Sequence, residues 1–229
     1  MANIKLVVFD VAGTTATDDG LVVRAFRNAM LIRGAAEGLV LENNIRYVQE
    51  TMGQRKMDVF LHITQGNQAA ANTLHEIFIA QYNELVAKGE LAEFKGISEL
   101  FSGLRAEGIG VAITTGFPRT LLNSILKSLE WRDRLDVSVA ADEVAQGRPA
   151  PDMIFRAMDL FSNLENIDIA PEEVAVVGDT ESDMRSGVTA GARFVIGVTS
   201  GAHTESQLRA TGATHVLTSA TELLTVINS

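Results

Sequence analysis

Apolar residues follow two different spacings along this chain, and the order of those spacings predicts the architecture. Residues Ile4 to Phe9 read IKLVVF, a nearly unbroken apolar run rich in β-branched residues, as expected for a strand buried on both faces. From about Gly20 to Lys88 the spacing becomes helical, with no convincing strand. Apolar positions recur at helical intervals from Leu21 to Arg33, Ile45 to Met52, Met57 to Ile63 and Ala70 to Val86. Glycines at Gly34, Gly38, Gly53 and Gly66 separate these pieces.

After a turn around Gly96 the two spacings alternate. Helices are predicted from Ile97 to Ala106, Arg119 to Leu129, Asp152 to Phe161 and Ser182 to Ala190. Short apolar strands are predicted from Gly110 to Thr114, Val137 to Ala140, Val174 to Val177 and Arg193 to Val198. A last strand near His215 to Leu217 precedes a closing helix from Thr221. This alternation predicts an α/β fold, a Rossmann-like doubly wound parallel sheet, interrupted after its first strand by an all-helical block. The expected division is a core of residues 1–17 and 94–229 with a helical cap of residues 18–93. A length of 229 residues suits one such core with a modest insertion, not two full-sized domains.

Composition narrows the function classes. No apolar run is long enough to span a membrane, and Met1 to Lys5 carry no signal-peptide pattern. With no cysteine, the chain offers no disulfide, thiolate zinc site or cysteine nucleophile, and a reducing cytoplasm is the natural setting. The net charge of −10 weighs against a nucleic-acid partner, because neutralising a phosphate backbone calls for a basic surface. The same charge repels small anions, so an anion-handling site needs a divalent metal or a few placed cations. Apolar residues on the cap helices, including Phe26, Met30 and Leu31, are available to pack against the core or against a second copy in a homodimer.

Ligands of open parallel sheets bind at the carboxyl ends of the strands. Here those ends carry Asp10 in FDVAGTT, Thr114 and Thr115 in AITTGF, and Asp179 with Asp183 in VVGDTESDM. Arg148 in GRPAPD precedes a helix. Each alone has a bland reading: an Asp after a strand is commonly a cap or turn former, and GDTESD alone reads as a capped helix start. The set, in this order and at these strand ends, is suited to phosphoryl chemistry.

With these four motifs the chain resembles the haloacid dehalogenase superfamily over essentially its whole length. The resemblance implies that Asp10 attacks phosphorus to form an aspartyl-phosphate. It also implies Mg²⁺ held by Asp10, Asp179, the Ala12 carbonyl and, directly or through water, Asp183. The donor chemistry agrees, since Mg²⁺ takes hard oxygen ligands. Arg148 would offset the repulsion between an Asp nucleophile and an anionic phosphorus centre. Thr115 would hold a phosphoryl oxygen together with backbone N–H groups, while Gly13, Thr14 and Gly116 would bring the backbone close to the substrate.

One position departs from most phosphatases of that superfamily, which carry an acid–base Asp two residues after the nucleophile; here it is Ala12. Loss of such an acid commonly costs about 10²–10⁴ in rate on a poor leaving group. The D-x-A-G-T pattern, together with Met52-Gly53-Gln54-Arg55-Lys56, TTGF, GRPAP and GDTESDM, resembles the phosphonoacetaldehyde hydrolase branch. The resemblance implies that Lys56 forms a Schiff base with the aldehyde, so that the imine accepts the electrons of a breaking C–P bond. Lys56 beside Arg55 reads equally as a charge clamp for substrate phosphate. Val59, Phe117 and Leu21 stand where that branch has a His, an aromatic hydroxyl and a thiol, and His62 lies one turn beyond Lys56. The expected substrate is a small phosphonate, with a small phosphate ester as the alternative. A catalytically weak binding protein is the reading from another class, disfavoured by retention of Asp10, Asp179 and Asp183.

Overall fold

The computed structural model describes residues 3–228, so Met1 and Ala2 of the N-terminal segment lie outside the described residues. Strand β1 (Leu6–Phe9) pairs in parallel with β2 (Gly110–Thr115) on one side and β4 (Val174–Gly178) on the other. With β3 (Val137–Ala140), β5 (Phe194–Val198) and β6 (His215–Leu217), they make one sheet in the order β3-β2-β1-β4-β5-β6, parallel throughout. Every residue of β1, β2 and β4 is buried, because helices cover both faces. The pleat divides β1 between two cores. Val7 and Phe9 join Leu104, Leu121 and Ile125, from α5 (Ile97–Ala106) and α6 (Arg119–Ser128). Leu6 and Val8 join Met153, Ala157 and Phe161 of α7 (Asp152–Glu165) on the opposite face.

Four helices fill the interval between β1 and β2: α1 (Leu21–Arg33), α2 (Gly38–Glu50), α3 (Lys56–Ile63) and α4 (Gln68–Ala87). Their shared centre is a cluster of rings. Phe26 lies 4.4 Å from Phe60 and 4.7 Å from Phe78, centroid to centroid. Aromatic pairs of this kind contribute about 0.5–1.5 kcal/mol each beyond their buried area. Phe26 and Met30 are fully buried in this packing, which removes them as surface for a second copy, whereas Leu31 is 49% exposed.

Three local expectations change. Helix α2 begins at Gly38, well before Ile45, so Gly38 starts a helix where a separator was expected. Its buried stripe of Leu41, Ile45 and Val48 has helical spacing, but Leu39 and Val40, 83% and 60% exposed, blur the pattern in sequence. A short helix, α9 (Glu205–Ala210), follows α8 (Glu181–Ala190) and β5; with Leu208 as its one buried residue it shows no periodicity to detect. Its sequence signal is the cap, in which Thr204 Oγ1 accepts from the Gln207 N–H. The closing helix α10 (Leu224–Ile227) starts after a 3₁₀ turn at Ala220–Glu222, not at Thr221. No helix among the described residues is long and apolar enough to cross a membrane.

Candidate active site

The carboxyl ends of β1, β2 and β4 converge on a buried electrostatic network. Asp10 follows β1, with its N–H donating to the Val177 carbonyl at 2.9 Å, as a continuation of the β1–β4 ladder. The cation at the centre is Arg148, which comes from the loop between β3 and α7 and follows into a cis peptide bond with Pro149. Its Nη1 donates to Asp10 Oδ1 at 2.5 Å, its Nε faces Asp183 Oδ1 at 3.0 Å, and its Nη2 donates to the Thr114 carbonyl at 3.0 Å. The rigid guanidinium fork therefore ties three separate segments together, a geometry an ammonium cannot reproduce.

Asp183 has two functions at once. Oδ1 faces Arg148, while Oδ2 accepts from the Thr180 N–H at 3.1 Å, and Thr180 Oγ1 in turn accepts from the Asp183 N–H. This is a capping box at the start of α8, so the helix-cap reading and the site reading of GDTESD both apply. Asp179 differs from the other two carboxylates. It is buried, accepts from Thr14 Oγ1 at 3.0 Å and the Ala202 N–H at 2.7 Å, and has no ion-pair partner among the described residues. Burial, with the charges of Asp10 and Asp183 added, pushes the Asp179 carboxyl well above the usual carboxylate range. Burial likewise pushes Asp10 up to about 6, against the lowering effect of Arg148.

Three buried carboxylates around a single bridging guanidinium leave negative charge uncompensated. The oxygen-only donor set, with Asp179 unpaired beside Ala12 and Gly13, fits a hard divalent cation. Among the described residues, no three acidic or histidine side chains already converge to hold one, because Arg148 stands between Asp10 and Asp183. A cleft of about 390 Å³ opens beside Asp179, bounded by Ala12, Gly13, Asp18, Met52 and Ala202. Gly13, at φ +89°, makes the turn under this cleft; a Cβ there would lie 2.8 Å from Asp179 Cγ. Thr14 therefore reaches Asp179, while Thr115 is buried, with its Oγ1 accepting from the Phe117 N–H at 3.3 Å.

The helical block closes over this network through the segment before α3. The Lys56 N–H donates to the Gly116 carbonyl at 3.1 Å, which seats the cap segment on the loop after β2. Lys56 itself is only 5% exposed; its Nζ donates to the Gln54 carbonyl at 3.2 Å and lies 5.3 Å from the Phe117 ring centre. It forms no ion pair among the described residues, and burial in this apolar setting lowers its ammonium to about 8, despite the nearby charges of Asp10 and Asp18. Phe117, against which the amine lies, is buried, and Val59 and Leu21 are buried apolar residues as well.

Arg55 stands apart from the carboxylates. Its Nη2 donates to the Val144 and Ala145 carbonyls at 2.9 and 3.0 Å, so it clasps cap to core. His62 is exposed and stacks on Tyr47, with centroids 3.9 Å apart, and does not reach the Lys56 amine. Sequence reasoning missed Asp18, which is half-buried, close enough for its charge to act on Lys56, and accepts from the Val22 N–H at 3.1 Å at the start of α1. It also missed the Ser200–Ala202 loop after β5, where Ser200 Oγ donates to the Gly13 carbonyl at 2.8 Å. Asp18 was readable as a cap just before an apolar helical run; the loop has no signal beyond its place at a strand end.

The seam between cap and loop depends on Gly116. A Cβ there would lie 3.0 Å from the Gln54 carbonyl carbon and closer still to its oxygen. Gly116→Ala is expected to prise the cap segment outward and lower kcat/KM by about 10- to 100-fold, since overpacking costs about 1–3 kcal/mol. Thermal unfolding together with kinetics checks this; native kcat/KM in a folded variant would count against a catalytic role for cap closure.

Comparison with known proteins agrees with this geometry. The chain is 32% identical over 214 residues to a phosphonoacetaldehyde hydrolase of Syntrophobacter fumaroxidans, covering 85% of this chain and 72% of that one. It is 27% identical over 199 residues to Protein CbbY of Rhodobacter capsulatus, covering 85% of each. The solved structure of a hydrolase from Pseudomonas syringae superposes with a TM-score of 0.83 over 98% of both chains at 21% identity, which shows a shared fold. Residues 4–191 match the sequence profile of the haloacid dehalogenase-like hydrolases, and the chain belongs to that family.

Proposed function

We propose that the chain is a magnesium-dependent hydrolase that forms an aspartyl-phosphate on Asp10 and cleaves the C–P bond of phosphonoacetaldehyde or a related small carbonyl phosphonate. The observation that carries the substrate reading is the Lys56 amine: buried, without a carboxylate partner among the described residues, near Asp10, and lowered to about 8. About a tenth of such an amine is neutral at pH 7, far more than of an exposed lysine, and imine formation consumes the neutral form. The similarity to phosphonoacetaldehyde hydrolases supports the same reading.

Each residue then has a chemical task. Lys56 condenses with the substrate aldehyde, and water leaves. Asp10 attacks phosphorus, and the electrons of the C–P bond move into the protonated imine to give an enamine. This sink explains how Ala12 can replace an acid, because the leaving group is carbon and its charge is taken up by nitrogen. Water then cleaves the aspartyl-phosphate, and the enamine takes a proton at carbon and hydrolyses to acetaldehyde. Arg148 fixes Asp10 and offsets its charge; Thr115 and the Gly116 N–H hold phosphoryl oxygens; Thr14 and Gly13 set Asp179 in place. Asp10, Asp179, the Ala12 carbonyl and, directly or through water, Asp183 would hold Mg²⁺, which neutralises phosphoryl charge when bound.

The test compares native protein with Lys56→Arg for release of acetaldehyde and phosphate from phosphonoacetaldehyde with Mg²⁺. The Arg variant keeps the cation and loses the amine, so turnover is expected to fall by about a hundredfold or more. Borohydride trapping of the imine in native protein is expected to accelerate as pH rises through about 8, because the free amine is the reactant. Equal turnover by both proteins, or no turnover by the native one, rules out the imine, and small phosphate esters become the substrate class.

A further inference from the structure

Tyr82 on α4 has a group that the chemistry above does not use. The residue is fully buried, and its hydroxyl finds no hydrogen-bond partner among the described residues. An unsatisfied buried hydroxyl costs free energy, so packing alone is better served by phenylalanine. The ring lies against Phe117, with centroids 4.8 Å apart, and Phe117 carries Lys56 Nζ 5.3 Å from its own centre. The phenol and the amine thus flank one aromatic platform. The charges of Asp18 and Asp10 both reach Tyr82, and both also reach Lys56. Phenol and amine therefore meet the same Phe117 ring, both within reach of the charge of the nucleophile Asp10.

We infer that Tyr82 is a catalytic hydrogen-bond donor to the oxygen of the substrate's non-phosphoryl half, the partner its hydroxyl lacks in the free protein. In its full form this rests on the imine reading. As Lys56 Nζ bonds to the carbonyl carbon, the C=O pair moves to oxygen, and the Tyr82 O–H stabilises that charge. The oxygen then leaves as water, with one proton from the amine and one from solvent; the iminium keeps the second amine proton. Tyr82 keeps its own proton throughout, consistent with burial and Asp18 pushing the phenol well above its ordinary range.

Tyr82→Phe isolates the hydroxyl. On phosphonoacetaldehyde with Mg²⁺, kcat/KM is expected to fall at least tenfold, with borohydride trapping at Lys56 slowed by a similar factor. The unfolding midpoint should be equal or higher, a combination that a purely structural role does not produce. Native-like trapping and turnover in Tyr82→Phe would overturn the proposal while leaving Lys56 in place. If native protein neither traps nor turns over the aldehyde, the imine reading fails separately, and the same pair is compared on phosphoglycolate and on p-nitrophenyl phosphate. A Tyr82→Phe defect larger on phosphoglycolate, whose leaving oxygen needs stabilisation, supports the donor; equal rates for both proteins overturn it.

Discussion

Replacing Arg148 with methionine is expected to cost about 3–5 kcal/mol of folding stability, the range seen when one partner of a buried ion pair is removed. Arg148 is 3% exposed at its side chain and faces Asp10 at 2.5 Å and Asp183 at 3.0 Å. Methionine fills most of the volume, so the loss reads charge and hydrogen bonding instead of a cavity. What remains is three buried carboxylates, Asp10, Asp179 and Asp183, with no cation bridging them, and a Thr114 carbonyl without its donor. Arg148→Lys restores a charge but not the fork, and should recover part of the loss. The double variant Arg148→Met/Asp183→Asn should be less unstable than the two single losses added together, because it removes one orphaned charge along with its partner. Urea denaturation of native protein, Arg148→Met, Arg148→Lys, Asp183→Asn and the double variant measures each term. A loss under about 1 kcal/mol for Arg148→Met would mean that the carboxylates find compensation elsewhere.

The alternation of helical and strand spacing was enough to place the sheet and the inserted helices, since a parallel sheet leaves near-continuous apolar runs in sequence. It also placed polar residues at the strand ends: Asp10, Thr115 and Asp179 sit where β1, β2 and β4 end, and Arg148 bonds Asp10 and the Thr114 carbonyl there. What escaped was whatever depends on direction as opposed to position. Arg55 and Lys56 are adjacent in sequence, yet the start of α3 sends one to the Val144 and Ala145 carbonyls and the other over the buried Phe117 ring. His62 lies further along the same short helix as Lys56 and faces solvent, where Tyr47 stacks on it. Tyr82 was hidden for the opposite reason. Within α4 it keeps the helical spacing of Phe78 and Leu85, so its ring reads as core, and only the unpartnered hydroxyl distinguishes it. The exposed pair Leu39 and Val40 misled in the same way, since periodicity reports apolar residues and not where they point.

The largest kinetic effect should follow from Asp10→Asn. The amide keeps the shape and a carbonyl acceptor for Arg148 Nη1, but it is neutral and a far weaker nucleophile toward phosphorus. Turnover is expected to fall by about 10⁴- to 10⁶-fold, the scale of losing a nucleophile from an otherwise intact site. Stability should move the other way. Asp10 is one of three mutually repelling buried carboxylates, so neutralising it should leave the metal-free protein as stable as native, or more so. The native unfolding temperature is expected to rise with Mg²⁺ through ligand linkage, and the Asn variant to show a smaller rise, because one of the proposed oxygen donors has lost its charge. Rapid quenching of native protein during turnover should catch a phosphoryl group on Asp10 by mass spectrometry, and the variant should show none. These readouts separate two ways of losing activity. A variant that folds well, responds weakly to Mg²⁺ and never becomes phosphorylated identifies Asp10 as both ligand and nucleophile. Turnover within tenfold of native would remove Asp10 from the covalent step altogether, leaving Arg148 and the remaining carboxylates to act on water instead.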